Sequence, residues 1–165
     1  MQKLSLREPK TSAPYLKQDS ENIMHFSLMD ALPAGETLAL NRSLGTLSHI
    51  TCTEGRPLLV QQQQFTDGEM RVLLPLMEQF PYYCPYEVMF ASFYNGNTNE
   101  RTVARCRERL QEAMLEGIWD QEMRPVRNVL SRTRLKMRSF GFDISSILET
   151  GYILMFESRP RRIEY

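Results

Sequence analysis

The spacing of apolar residues changes twice along the 165 residues of this chain, and these changes limit the folds it can adopt. Between residues 23 and 64, short segments separated by proline and glycine alternate in the manner of strands. From residue 66 to residue 138, apolar residues recur at steps of three and four, as in helices. After Gly141 the spacing is strand-like again. This order predicts an α+β fold: a sheet, then helices, then a hairpin.

The first block predicts a small antiparallel sheet of three or four strands. Its segments are IMHFSLM, TLALN, GTLSHITC and PLLVQQQQ. Thr66 and Glu69 then fit a capping box, so a helix should begin there and end at Pro81. Pro85 suits the first position of a second helix, which Gly96 should close.

A third helical pattern covers residues 97–117 and carries arginines at four-residue spacing. Arg101, Arg105 and Arg109 could lie along a phosphate backbone. A solvated face is the favoured interpretation, because glutamates follow these arginines at pairing distances. Those glutamates are Glu108, Glu112 and Glu116. Residues 117–120, which include the single tryptophan, should break the chain before the next helix.

The most basic part of the chain is the segment 124–138, which has six positive charges and no acid although the whole chain has a formal net charge of zero. Its cations are Arg124, Arg127, Arg132, Arg134, Lys136 and Arg138. Such a concentration of positive charge in a helix-forming segment indicates a polyanionic partner, with nucleic acid as the first candidate.

A helical projection divides this segment into an apolar side and a polar side. The apolar side, which must face a core, holds Val126, Val129, Leu130, Thr133 and Met137. The opposite side holds Arg127, Asn128, Ser131, Arg132, Leu135 and Arg138. These residue types suit the major groove of DNA, where arginine can bridge guanine, asparagine can bridge adenine and an apolar group can contact a thymine methyl.

Two segments here resemble the recognition helix and the wing of OmpR-type winged-helix regulators: residues 126–137 (VRNVLSRTRLKM) and residues 151–154 (GYIL). Residues 65–74 (FTDGEMRVLL) are similar to the first helix of that family. The resemblance covers roughly residues 36–156 and implies a winged helix-turn-helix with a small N-terminal antiparallel sheet, three or four helices and a C-terminal β-hairpin wing. A receiver domain, usual in this family, is not expected here.

The resemblance also implies roles for individual residues. Base-side roles fall to Arg127, Asn128, Ser131 and Arg132, and phosphate roles to Arg134, Lys136 and Arg138. Together with Arg124 and Leu135 these residues form the predicted DNA-binding site. Helix 124–139 is expected to lie in the major groove, with hairpin 144–156 as the wing.

The sequence therefore predicts a cytoplasmic transcriptional regulator that binds specific double-stranded DNA. A winged-helix protein-interaction module without DNA binding is the alternative. We expect residues 1–22 to be a disordered tail, residues 23–158 to be the domain and residues 159–165 to be a basic tail. RNA polymerase or another regulator is a candidate partner, and homodimerisation is open. No enzymatic activity, metal, cofactor or membrane association is expected, because no motif for any of these occurs.

Overall fold

The computed structural model describes residues 23–28, 32–78 and 81–156. Within these residues the chain is an α+β protein with four helices and two antiparallel sheets. The tails predicted for residues 1–22 and 159–165 lie outside the described part of the chain.

The first sheet has four strands in the order of the chain and confirms the predicted N-terminal sheet. The strands are β1 (Ile23–Phe26), β2 (Glu36–Asn41), β3 (Thr46–Thr53) and β4 (Arg56–Gln64). Leu38, Leu40 and Leu47 are fully buried on the face that joins the core. Buried His49 contacts Glu36 across β2 and β3, with Nε2 3.1 Å from Oε2, so this histidine has a structural partner.

Four helices follow in the described chain: α1 (Asp67–Met77), α2 (Tyr86–Asn95), α3 (Glu100–Glu116) and α4 (Trp119–Arg138). The capping box at the start of α1 is confirmed. The backbone amide of Glu69 donates to Thr66 Oγ1 at 3.2 Å, and the amide of Thr66 donates to Glu69 Oε1 at 2.9 Å. Helix α1 ends at Met77, four residues before the predicted Pro81. Gly96 and Gly117 close α2 and α3 in the left-handed conformation.

The start predicted for the basic helix is wrong by five residues, because α4 begins at Trp119 and ends at Arg138. Asp120 and Glu122 occupy its first turn, where carboxylates interact favourably with the positive end of the helix dipole. Pro125 consequently lies inside the helix instead of in its first turn. The predicted break shrinks to Gly117 and Ile118, and the Trp119 ring packs edge-on against Tyr86 at 5.0 Å.

The second sheet contains β5 (Tyr83–Pro85), β6 (Phe142–Ile147) and β7 (Gly151–Phe156) in the order β5-β7-β6. The sequence did not predict β5: Pro85 ends this strand and precedes α2 instead of opening the helix. Residue 151 must be glycine in this arrangement, because a Cβ atom there would clash with the backbone carbonyl oxygen of Cys84. The close approach of β5 to β7 therefore depends on Gly151.

One hydrophobic core joins both sheets and the helices. Helix α1 packs against α2 and α4, and α3 packs mainly against α2. The arginines of α3 contact other helices instead of the glutamates that follow them: Arg107 lies 3.5 Å from Glu87 and Arg109 lies 3.3 Å from Glu122. No ion pair involves Glu108, Glu112 or Glu116 within the described residues, so the predicted pairing along α3 is not found.

Candidate nucleic-acid interface

The inner side of α4 is buried as its apolar spacing predicts. Val126, Thr133 and Met137 are fully buried, and Val129 and Leu130 are nearly so. The Thr133 hydroxyl donates to the carbonyl of Val129 at 2.9 Å, which satisfies a polar group in the core. Since five positions over three turns are fixed by packing, the direction of every other side chain of α4 follows from its place on the helix.

The outermost side of α4 carries four residues at helical spacing, which we call the outer strip: Arg124, Asn128, Arg132 and Leu135. All four are exposed, and Leu135 is 66% exposed. Their side chains form no ion pair or hydrogen bond with any other residue that the structure describes, and no acid lies among them. The outer strip therefore presents two guanidinium groups, an amide and an apolar side chain to solvent.

The arginines on the side of α4 that faces β6 have acidic partners. Arg134 donates to both carboxylate oxygens of Asp143, at 2.6 and 3.1 Å, and Arg138 lies 3.4 Å from the same carboxylate. Arg127 donates to the carboxylate of Asp120 at 3.0 Å and to its backbone carbonyl at 2.8 Å. Arg127 and Arg134 also line a cleft of about 310 Å³ between α4 and the β6–β7 pair.

Lys136, the sixth cation, points toward α1. Its Nζ donates to Glu69 Oε1 at 2.7 Å and to the carbonyl of Gln64 at 2.8 Å, and lies 5.2 Å from the centre of the Phe65 ring. Glu69 is 1% exposed. Burial alone raises the pKa of Glu69, but hydrogen bonds from Lys136 and Thr66 outweigh it and hold the pKa below its usual value. The ammonium group predicted to contact phosphate thus serves as the partner of a buried carboxylate.

The ion pairs divide the six cations of the basic segment into two groups. Three carboxylates, those of Glu69, Asp120 and Asp143, contact four of the cations. Arg124 and Arg132 remain without an acidic partner among the described residues. Positive charge available to a ligand is therefore concentrated on the outer strip, while Arg134, Arg138 and Lys136 hold α4 against β6 and α1 and Arg127 pairs within α4.

Two carboxylates from outside α4 pair with its cations, Asp143 and Glu69, and the sequence predicted neither ion pair. Each acts on α4 from a different element, β6 for Asp143 and the first turn of α1 for Glu69. Asp143 lies only nine residues from Arg134, near the start of the strand that follows the helix. An acid so close along the chain could have predicted this ion pair. Glu69 lies 67 residues from Lys136, and no local pattern links them.

The ion pair between Arg134 and Asp143 should make stability depend on pH at low pH. Hydrogen bonds from Arg134 lower the pKa of Asp143 from 3.8 to about 2. As the pH falls, the Asp143 carboxylate therefore takes up a proton in the unfolded chain before it does so in the folded protein. The stabilisation by the ion pair is present above pH 3.8 and is lost as the pH falls toward 2. Asp143→Asn should cost about 1 kcal/mol at neutral pH, a value reduced by solvent screening of the half-exposed Arg134.

Urea unfolding followed by circular dichroism, at neutral pH and in steps down to acid, measures this effect. Asp120→Asn is a suitable control, since Asp120 also pairs with an arginine of α4 but is 80% exposed. This substitution should lower the free energy of unfolding by no more than about 0.5 kcal/mol. If Asp143→Asn is as stable as the parent protein at neutral pH, or loses stability in acid as steeply as the parent, the assigned role of Asp143 is wrong.

Two features are absent from the residues that the structure describes. No helix there has the length and apolar character needed to cross a membrane. The same residues contain no cluster of three or more histidine, cysteine, aspartate or glutamate side chains suited to a metal ion. In comparisons with known proteins, no family model, no curated protein and no solved structure matches this chain.

Proposed function

We propose that this protein binds specific sequences of double-stranded DNA as a winged helix-turn-helix, with α4 in the major groove and the β6–β7 pair as the wing. The carrying observation is the outer strip, which is exposed, free of acid and without partners among the described residues. An α-helix fits the major groove, and arginine and asparagine there form paired hydrogen bonds with guanine and adenine. A transcriptional regulator acting in the cytoplasm is the biological role that this binding suggests.

The order of elements supports the same proposal. A helix whose inner side is buried precedes two antiparallel strands, and a short strand, β5, pairs with the second of them. This arrangement is compatible with the winged-helix family that the sequence resembles. Helix α3 is additional to the usual winged-helix pattern. It lies against α2 and α4 and leaves the outer strip uncovered.

The positions of the side chains refine the proposed contacts. Asn128 and Arg132 lie on the outer strip and are assigned to base edges, with Leu135 available for a thymine methyl. Arg127 and Ser131 lie nearer the β6–β7 pair, and the Ser131 hydroxyl donates to the carbonyl of Arg127 at 3.0 Å. We therefore assign Arg127, like Arg134 and Arg138, to the DNA backbone beside the wing.

A protein-interaction module is the second candidate function, and the edge strand β4 favours it. Three consecutive apolar residues of this strand, Leu58, Leu59 and Val60, are each more than half exposed. Exposed apolar side chains on an edge strand favour contacts with other proteins. This surface lies on the N-terminal sheet, so it could also serve a DNA-binding protein that recruits a partner.

Fluorescence anisotropy with a labelled random-sequence duplex tests the proposal. We expect binding at low salt that weakens steeply as salt increases, because each neutralised phosphate contributes about −0.9 to the slope of log K against log salt. If the protein binds no duplex at low salt, DNA binding is excluded and the protein-interaction module remains as the proposed function.

A further inference from the structure

A second cavity lies on α3, away from the outer strip of α4. It has a volume of about 270 Å³ and is formed by α2, α3 and the first turn of α4. One wall is aromatic: the Phe90 and Tyr94 rings, one turn apart on α2, have their centres 4.5 Å apart. Cys106 adds an apolar surface, and burial raises the pKa of its thiol, so the thiol is uncharged at neutral pH.

Two arginines and one glutamate also line the cavity. Arg105 and Arg109 both line the cavity. The guanidinium of Arg109 lies 3.3 Å from the Glu122 carboxylate and 5.9 Å from the centre of the Phe90 ring. Arg105 is exposed and has no ion-pair partner among the described residues, so the two arginines of the cavity face a single carboxylate.

We propose that this cavity binds a small aromatic carboxylate, whose ring contacts Tyr94 and whose carboxylate is held by Arg105. A guanidinium binds a carboxylate through two parallel hydrogen bonds, and that geometry suits a planar anion beside an aromatic side chain. Pockets for drug-sized ligands start at about 300 Å³. This cavity is slightly smaller, so it has room for a molecule of about one ring.

The lining of the cavity favours an aromatic carboxylate over a neutral aromatic molecule and over an inorganic anion. A neutral aromatic molecule would form no ion pair with Arg105, and an inorganic anion would form no contact with the Tyr94 ring. Glu122 already supplies an acidic partner for Arg109, so Arg105 is the cation left to bind one negative charge of a ligand. The site is independent of the proposed DNA surface and is tested on the protein alone.

Benzoate is the probe, titrated into ¹⁵N-labelled protein at constant ionic strength and followed by amide chemical shifts. We expect saturable shifts confined to residues that line the cavity, in α2, α3 and the first turn of α4. In Arg105→Gln the affinity should fall about tenfold, the effect of losing one charge-assisted contact. Arg101→Gln, an exposed substitution one turn earlier on α3 and outside the cavity, should bind as the parent does.

Three outcomes would overturn the proposal. They are shifts that do not saturate or that fall outside the cavity, equal benzoate affinity in Arg105→Gln and the parent, and equal affinity of the parent for benzamide, the neutral isostere. The amide spectrum of Arg105→Gln without benzoate shows whether that variant is folded.

Discussion

Asn128→Ala combined with Arg132→Gln should lower the affinity for a preferred duplex by about 100-fold while leaving the affinity for an unrelated duplex within about threefold of the parent. Each good contact to a base edge contributes about 1–3 kcal/mol of discrimination, and both side chains lie on the outer strip with no competing partner among the described residues. The two substitutions remove only one positive charge, so the affinity for an unrelated duplex should fall far less than the affinity for the preferred one. Anisotropy with the two duplexes at one salt concentration measures both affinities.

Arg56→Gln is the matched control for this double variant. Arg56 is also exposed and without an acidic partner among the described residues, but it begins β4 in the N-terminal sheet. It should leave both affinities unchanged. An equal loss of affinity for both duplexes in the double variant would assign Asn128 and Arg132 to the DNA backbone instead of the bases.

Lys136→Met should lower the free energy of unfolding by about 3 kcal/mol, although Lys136 belongs to the segment first predicted to contact DNA. The substitution leaves the Glu69 carboxylate, 1% exposed, without its cation, and an unpaired buried charge is strongly destabilising. Glu69 Oε2 already has no hydrogen-bond partner among the described residues, so without Lys136 the carboxylate would keep only its contacts with Thr66. Urea unfolding at neutral pH measures the loss.

The loss in Lys136→Met should shrink as the pH falls. Lys136 is one of the groups that lower the pKa of Glu69, so its removal raises this pKa relative to the parent protein. The neutral acid then forms more readily in the folded variant, and the penalty for the unpaired charge shrinks as the pH falls through that pKa. Lys136→Met combined with Glu69→Gln should recover most of the stability, because glutamine at this position still completes a capping box.

Arg132→Met is the control for Lys136→Met, since it removes a cation from the same helix at an exposed site and should change stability by less than about 0.5 kcal/mol. If Lys136→Met is no less stable than Arg132→Met, the ion pair with Glu69 does not hold α4 in place.

Local patterns account for the parts of the fold that the sequence predicted. The capping box of Thr66 and Glu69 needs only a four-residue segment, and the left-handed ends of α2 and α3 need one glycine each. The buried side of α4 follows from its apolar spacing over three turns. In each case the interacting residues are neighbours along the chain.

The parts that the sequence did not predict depend on contacts between distant residues. Strand β5 is three residues long and exists because it pairs with β7, almost seventy residues later. The start of α4 was misplaced because the acid-free basic segment begins at Arg124, whereas acids at positions 120 and 122 occupy the first turn of the helix. A count of charges cannot separate Arg132 from Lys136, since only the structure shows that Glu69 neutralises the latter.

Selection from a pool of random duplexes tests the central claim most directly, with the parent protein and the Asn128→Ala and Arg132→Gln double variant selected in parallel at low salt. We predict that the parent enriches one short motif and that the double variant loses preference at adjacent bases within it. The assignment of α4 as a DNA-reading helix would be contradicted if the parent enriched no motif. It would also be contradicted if the double variant enriched the same motif with undiminished preference.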